Sequence, residues 1–248
     1  MTRVGIGITT YNRSSNLRDT LTGVFATSMP DVVVVADDGS TDDTAEVMRD
    51  FPSVAYLQNT NGGIARNKNR LLFRLFAIER CDVVILLEDD TKPILKGWLE
   101  EWGRAASIHG HVNIRFDWMD LCYSGEGTAL SPYVSGHLTG QCMAFSRDAW
   151  VKCGYMDHRF KSYGFEHIEL TRRCVAAGYG GSIDRFLCMS EKWLLIDHDI
   201  PTTGSQDKID ASFEVLKLTV GDTGYKPPCE DWNIFLNECL TASEKHAR

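Results

Sequence analysis

The chain has 248 residues, 43% of them hydrophobic and 24% charged, with a formal net charge of −8 and a pI near 5.4. That length suits one large α/β domain with or without an appended tail, and the negative balance excludes a global field that would recruit nucleic acid, whose affinity rests on neutralised phosphates. No apolar stretch approaches the roughly 18–20 residues that span a bilayer, and the start leaves no room for a signal peptide before the first strand. The eight cysteines form no C-x-x-C pair or zinc spacing, so they read as reduced core residues of a cytoplasmic protein.

Residues 3–10 form a first strand whose C-terminal loop is Thr9-Thr10-Tyr11-Asn12-Arg13. The Gly5-x-Gly7 pair invites a dinucleotide reading, but Thr10 stands where G-x-G-x-x-G needs its third glycine, so that cofactor is set aside. Ser14 or Ser15 caps a helix to about residue 28, with Leu17, Leu21, Val24 and Phe25 on one face. Residues 31–36 hold four consecutive valines, a buried strand that opens into Asp37-Asp38-Gly39-Ser40-Thr41-Asp42-Asp43. Asp42 and Asp43 suit the positive first turn of the next helix and are assigned no chemistry. Asp37 and Asp38 precede that helix, where a carboxylate accepts hydrogen bonds from a base edge or sugar hydroxyls.

A short strand at 54–57 leads into Gly62-Gly63, which open a helix with Arg66, Lys68 and Arg70 in its first two turns. Free backbone N–H groups, the helix dipole and three cations there predict a diphosphate site. Next, Val83-Val84-Ile85-Leu86-Leu87 reads as a strand buried on both faces, and Glu88-Asp89-Asp90 must stand where it leaves the sheet, since unpaired acids are not buried. Such hard oxygen ligands suit Mg²⁺ or Mn²⁺ shared with substrate phosphates; the bland alternative is a solvated acidic turn. The order βαβαβαβ over about 90 residues is a nucleotide-binding α/β half-sandwich.

The second half reads as a helix at 95–108, a strand at 112–116, and an irregular polar loop at 117–135. A strand at 137–146 and a short helix from Arg147 follow, then an aromatic-rich turn opening a helix at Glu166. Glu169 and Arg173 are spaced as a helical ion pair, while Glu166 and His167 sit at the helix start, where they can act on a ligand. Trp118, Tyr123, Tyr133 and Tyr163 are candidates to shape donor and acceptor pockets. Leu194-Leu195-Ile196-Asp197-His198 ends an apolar run in a histidine, and imidazole suits Mn²⁺ better than Mg²⁺. Residues 202–210 read as a lid, 213–220 as a short helix or strand, and Trp232, Phe235 and Leu236 as tail residues docking on the body.

With these motifs in order, the chain resembles nucleotide-sugar glycosyltransferases of the GT-A fold, closest to family 2, from about Val4 to His198. The resemblance implies an α/β fold with a central, mostly parallel sheet flanked by helices. It implies a glycosyltransferase domain over residues 1–200, with a nucleotide-binding half (1–93) and an acceptor and catalytic half (94–200), and a lid and tail at 201–248. It also implies transfer of a hexose from a nucleotide-diphosphate sugar, a UDP-sugar by the Asp38 turn, to the hydroxyl of a glycan, lipid-linked sugar, protein or modified nucleic acid. Thr9, Tyr11, Arg13, Asp38, Arg66 and Asp89 would face the nucleotide, and Asp90, His198 and Glu88 the Mn²⁺ or Mg²⁺. Inverting members usually end the segment like Tyr163-Gly164-Phe165-Glu166-His167 in Glu-Asp, the Asp being the general base. Here His167 stands in that place, so either it or Glu166 could take the proton, or the donor phosphate could do so in a retaining reaction. Two rival readings are a nucleotidyltransferase, which should carry a glycine-rich basic loop where residues 9–15 have none, and a silent nucleotide-sugar binding module.

Overall fold

The computed structural model describes residues 2–197, 205–241 and 244–245. Along the chain run β1 (Val4–Thr10), α1 (Ser14–Thr27), β2 (Val32–Asp37), α2 (Thr44–Arg49), β3 (Ala55–Gln58), α3 (Ile64–Phe73), β4 (Val83–Glu88) and β5 (Thr91–Pro93). One π turn, Arg74–Ile78, extends α3. The second half adds α4 (Trp98–His109), β6 (His111–Arg115), β7 (Cys122–Ser124), β8 (Tyr133–Ser135), β9 (Thr139–Ser146), α5 (Arg147–Cys153) and α6 (Glu166–Ala176). Then come β10 (Gly181–Ser182), β11 (Arg185–Ser190), β12 (Leu194–Ile196), α7 (Gln206–Leu218) and α8 (Trp232–Glu238).

Ten of these strands form one sheet in the order β3-β2-β1-β4-β9-β6-β11-β8-β7, with β10 on β11; β5 and β12 make a separate antiparallel pair. The first-half strands β3, β2, β1 and β4 are mutually parallel, as is β6 with β11, whereas β9 runs antiparallel between β4 and β6. All four parallel strands of the first half therefore end at one edge, where their loops converge.

Alternation along the strands divides the core. Ile6, Ile8, Val33, Val35, Val83, Ile85 and Leu87 face α1 and α4, meeting Leu17, Leu21, Trp98 and Trp102. Val34, Ala36, Val84 and Leu86 face α3, α6 and α8, meeting Leu71, Leu75, Leu170 and Phe235. On this second face β1 presents Gly5 and Gly7, where a Cβ would lie 2.8 Å from Leu75 Cδ2 and 3.1 Å from Leu71 Cβ respectively. The glycine pair lets α3 lie close on the sheet, which accounts for it without a dinucleotide.

Several boundaries differ from the sequence reading. The helix expected at 95–108 begins only at Trp98, because Gly97 takes a left-handed turn (φ 89°). The loop expected at 117–135 contains β7 and β8. Strands β5 and β11 carry no long apolar run, β11 being Arg-Phe-Leu-Cys-Met-Ser, and neither was anticipated. The region read as a lid at 202–210 is helical from Gln206, as α7 continues to Leu218; residues 202–204 lie outside the described residues. The Glu169–Arg173 pair forms at 2.6 Å and is fully buried. All eight cysteines are free thiols, and all but Cys122 are buried.

The tail is part of the core. Phe235 of α8 is 0% exposed and meets Phe73 of α3 edge-on at 5.8 Å, with Trp232 beside them at 5.2 Å from Phe73. Phe235→Ala should lower unfolding stability by about 3–5 kcal/mol, read as a lower urea midpoint with an unchanged m-value; a midpoint within error of the wild type would mean that α8 is not packed on α3.

Candidate active site

The convergence of β1, β2 and β4 gathers two acidic loops, after β2 and β4, beside the Arg13 loop after β1, and α3 runs beneath them. Each carboxylate there has a definite partner. Asp37 accepts from Ser40 N at 2.8 Å and from the Tyr56 hydroxyl at 2.6 Å, which makes it a turn-former. Asp38 Oδ1 accepts from Gly62 N and from Arg70 Nη1, both at 2.8 Å, and its Oδ2 accepts from Gly63 N at 2.9 Å. Burial pushes the Asp38 carboxyl up, against these bonds and the Arg70 charge.

This corrects one expectation. The N–H groups before α3 are not free for a diphosphate, because the anion they hold is the side chain of Asp38. Gly63 is required there: it takes φ 86°, and a Cβ would lie 2.3 Å from the Lys161 carbonyl oxygen. The cations of α3 are also committed. Arg66 binds Glu238 of α8 through Nε and Nη2, each at 2.9 Å, and Arg70 Nε reaches the same carboxylate at 2.8 Å. Lys68 pairs with Glu88 at 2.9 Å and Glu166 at 3.2 Å. Arg66, Arg70, Glu238 and Lys161, with 60–62, line a cavity of about 460 Å³.

At the end of β4, Arg13 Nη1 lies 3.3 Å from Asp89 and 3.1 Å from Asp90. Burial pushes the Asp89 carboxyl up to about 7, against the pull of Arg13 and with the help of its acidic neighbours. Burial and the Glu88 charge likewise push Asp90 up to about 6, again against Arg13. Asp37, Asp38 and Asp89 are buried along with Thr9, while Tyr11 is exposed beside them. The β5–β12 pair returns the chain to this edge, Ile196 opposite Thr91, and Asp197 N donates to the Asp90 carbonyl at 3.1 Å. His198, expected as a metal ligand, follows directly in sequence and lies outside the described residues.

Whether these residues suit a divalent cation follows from their chemistry. Two hard carboxylates share one guanidinium, and burial, with the charges of their acidic neighbours, pushes both carboxyls up; an oxygen-seeking dication would offset that charge. Among the described residues no three His, Cys, Asp or Glu side chains converge as a closed ligand set. The pair therefore fits an ion that takes the rest of its shell from a ligand or water. Glu88, expected beside the metal, spends its charge on Lys68.

At the start of α6, Glu166 is 3% exposed. Its Oε1 stands 3.5 Å from His167 Nδ1, and its Oε2 is buried with no hydrogen-bond partner among the described residues. Tyr163 is 45% exposed, and the pKa of its hydroxyl is raised by partial burial and by the charges of Glu88, Glu166 and Asp90, against Lys68. Trp118 stacks on Phe116, Arg185 lies over Tyr123 and Arg115 over Tyr133. Sequence reasoning missed Lys68 as the bridge between Glu88 and Glu166, and Glu238 as the partner of two arginines. For Lys68 a signal existed: with Ile64, Leu71 and Leu75 it falls on the apolar stripe of α3, where a charge needs a buried partner. Glu238 had none, since nothing local in a tail places it.

Residues 6–113 match the family model described as glycosyl transferase family 2. No curated protein matches the chain significantly. Among solved structures it is similar to the mannosyltransferase PcManGT from Pyrobaculum calidifontis in complex with GDP-Man and Mn2+, at 18% identity and TM-score 0.56, over 82% of this chain and 58% of that one. It is similar to GalNAc-T7 with UDP, GalNAc and Mn2+, at 14% identity and TM-score 0.59, over 76% and 42%. A third likeness is to S. aureus TarS 1-349 in complex with UDP, at 15% identity and TM-score 0.55, over 76% and 57%. The chain thus spans 42–58% of the length of the structures it matches, and at these identities the likeness speaks to the fold. The family match over residues 6–113, the strand order and these likenesses together give the chain the GT-A fold, with a first part similar to glycosyl transferase family 2.

Proposed function

We propose that the protein transfers a sugar, a hexose in the simplest case, from a nucleoside-diphosphate donor to an acceptor hydroxyl. The observation that carries this reading is the convergence, at one edge of the parallel strands, of the Asp38 loop and the Asp89–Asp90 pair. An α/β sheet binds its ligands outside the carboxyl ends of its strands. The structures with which it shares its fold include complexes with GDP-Man and with UDP, two of them with Mn2+, so UDP-sugars lead the donor candidates and GDP-sugars follow.

In this reading Thr9, Tyr11 and the Asp38 turn form the nucleoside side, and Arg66 serves it through the cavity it shares with Glu238. Arg13, with a side chain 19% exposed, is placed to exchange Asp89 and Asp90 for phosphate oxygens. Asp90, with His198 from beyond the described residues, would hold Mn²⁺ or Mg²⁺. Bound there, the ion supplies charge stabilisation to the leaving diphosphate. The buried β4 end excludes water from the carboxylates, and Tyr163, Glu166 and His167 form the wall on the acceptor side.

Calorimetry of UDP and GDP, each with and without Mn²⁺, should show metal-dependent binding of one nucleotide that is lost in Asp90→Ala. Binding of neither nucleotide, or binding indifferent to both metal and Asp90, would overturn the assignment.

The raised carboxyls also set a pH dependence. An acid whose folded pKa exceeds its unfolded value makes the native state bind more protons, so stability falls as pH rises between the two. For Asp89 and Asp90 that window runs from about 4, the unfolded value, to about 7. Mn²⁺ must displace those protons to bind. Its thermal stabilisation should therefore be larger at about pH 8 than at about pH 5.5, and absent at both in Asp90→Ala. An equal Mn²⁺ shift at the two pH values would count against metal binding at this pair.

A further inference from the structure

Lys68 lies on the apolar stripe of α3 with a side chain only 1% exposed. Burying an ammonium costs several kcal/mol unless it is paired and fully hydrogen-bonded. Here all three of its N–H donors are used: Glu88 Oε1 at 2.9 Å, Glu166 Oε1 at 3.2 Å and the Gly140 carbonyl oxygen at 3.2 Å. The acceptors come from β4, α6 and β9, so one side chain ties the strand that ends in the acidic pair to the helix that opens the acceptor side.

The same contacts fix His167. Its ring lies on Gly140, where a Cβ would come within 2.8 Å of His167 Cγ, and its Nδ1 stands 3.5 Å from the Glu166 oxygen that Lys68 holds. Two groups at the start of α6 are candidates for the acceptor's proton, and Lys68 distinguishes them. Burial disfavours a charged Glu166, but the Lys68 charge and the neighbouring His167 outweigh it and hold its carboxyl far below the usual range. So weak a base is a poor proton acceptor near neutrality.

We infer that Lys68 is a positioning residue: it pins Glu166 beside His167 Nδ1, so that the ring keeps its proton on Nδ1 and presents a free Nε2 as the general base. This rests on the glycosyl-transfer reading of the site. In the step itself, the acceptor oxygen bonds to the anomeric carbon as the bond from that carbon to the diphosphate oxygen breaks. The bonding pair leaves on the nucleoside diphosphate, and the acceptor's proton passes to His167 Nε2.

The test is nitrogen-15 NMR of histidine-labelled full-length protein at roughly pH 8, where an ordinary imidazole is neutral, with His167→Gln identifying the resonance. In the wild type the His167 ring should be protonated at Nδ1 and free at Nε2. Lys68→Met and Glu166→Gln should each abolish that preference, the second being nearly isosteric and the safer for folding. A wild-type ring protonated at Nε2, or a preference unmoved in Glu166→Gln, overturns the inference. Titration of the same samples with UDP and GDP in the presence of Mn²⁺ separates the two readings. If neither nucleotide binds, the glycosyl-transfer reading falls and takes the role of His167 with it. If one binds while the tautomer fails the test, only the Lys68 inference falls.

Discussion

The structure depends on how negative charge is offset where β2 and β4 leave the sheet. Those strands must be apolar on both faces to be covered by helices, yet they end in Asp37, Asp38, Glu88, Asp89 and Asp90, several of them buried. A buried carboxylate without a partner costs more than a marginally stable domain can supply. The fold answers mainly with one helix. From little more than one turn of α3, Arg66, Lys68 and Arg70 reach Glu238, Glu88 with Glu166, and Asp38 respectively. Among the described residues, the cation paired with Asp89 and Asp90 is Arg13, from the loop after β1. That unevenness is what singles the pair out: burial pushes its carboxyls up to about 7 and about 6, whereas the Lys68 charge holds that of buried Glu166 down.

The legibility of the chain follows the same division. Strands β1, β2 and β4 and helices α1 and α3 could be read because each carries a strong period over a long run, and the acids after β2 and β4 because they interrupt such runs. The short strands β5 and β11 could not, since three to six residues of mixed character acquire their identity from partners distant in sequence, whereas the apolar run that forms β12 reads as strand-like. Among site residues, Asp38 and Asp90 were legible as positions but not as states. That Asp38 is saturated by Gly62, Gly63 and Arg70 depends on contacts between loops some 24 to 32 residues apart, and spacing alone does not encode them. Three cations crowding the start of α3 looked like a diphosphate site for the same reason: charge can be read from a sequence, but neutralisation cannot.

Helix α8 shows how far such neutralisation extends. Glu238 stands more than 160 residues from Arg66 and Arg70 in the chain, yet it is the anion both arginines meet. Phe235, buried under Arg66 at 5.8 Å, fixes the helix on which Glu238 is carried. The tail therefore packs with the first half of the molecule, although it follows the second half in sequence.

A buried ion cluster is weak evidence of stabilisation, because desolvation cancels most of the attraction. Its value lies in geometry. A salt bridge on the surface leaves its side chains free to rearrange; Lys68, with every donor engaged and no solvent contact, has one arrangement that satisfies it. Glu88, Glu166 and the backbone of Gly140 must then keep fixed separations, and they lie on three different elements, one of them antiparallel to the rest of the first half. Hydrophobic packing tolerates small shifts between a helix and a sheet at modest cost, whereas a desolvated ammonium losing one carboxylate does not. Holding one strand end in register with a separate helix start needs that kind of constraint. In this chain the lysine on the apolar stripe of α3 provides it.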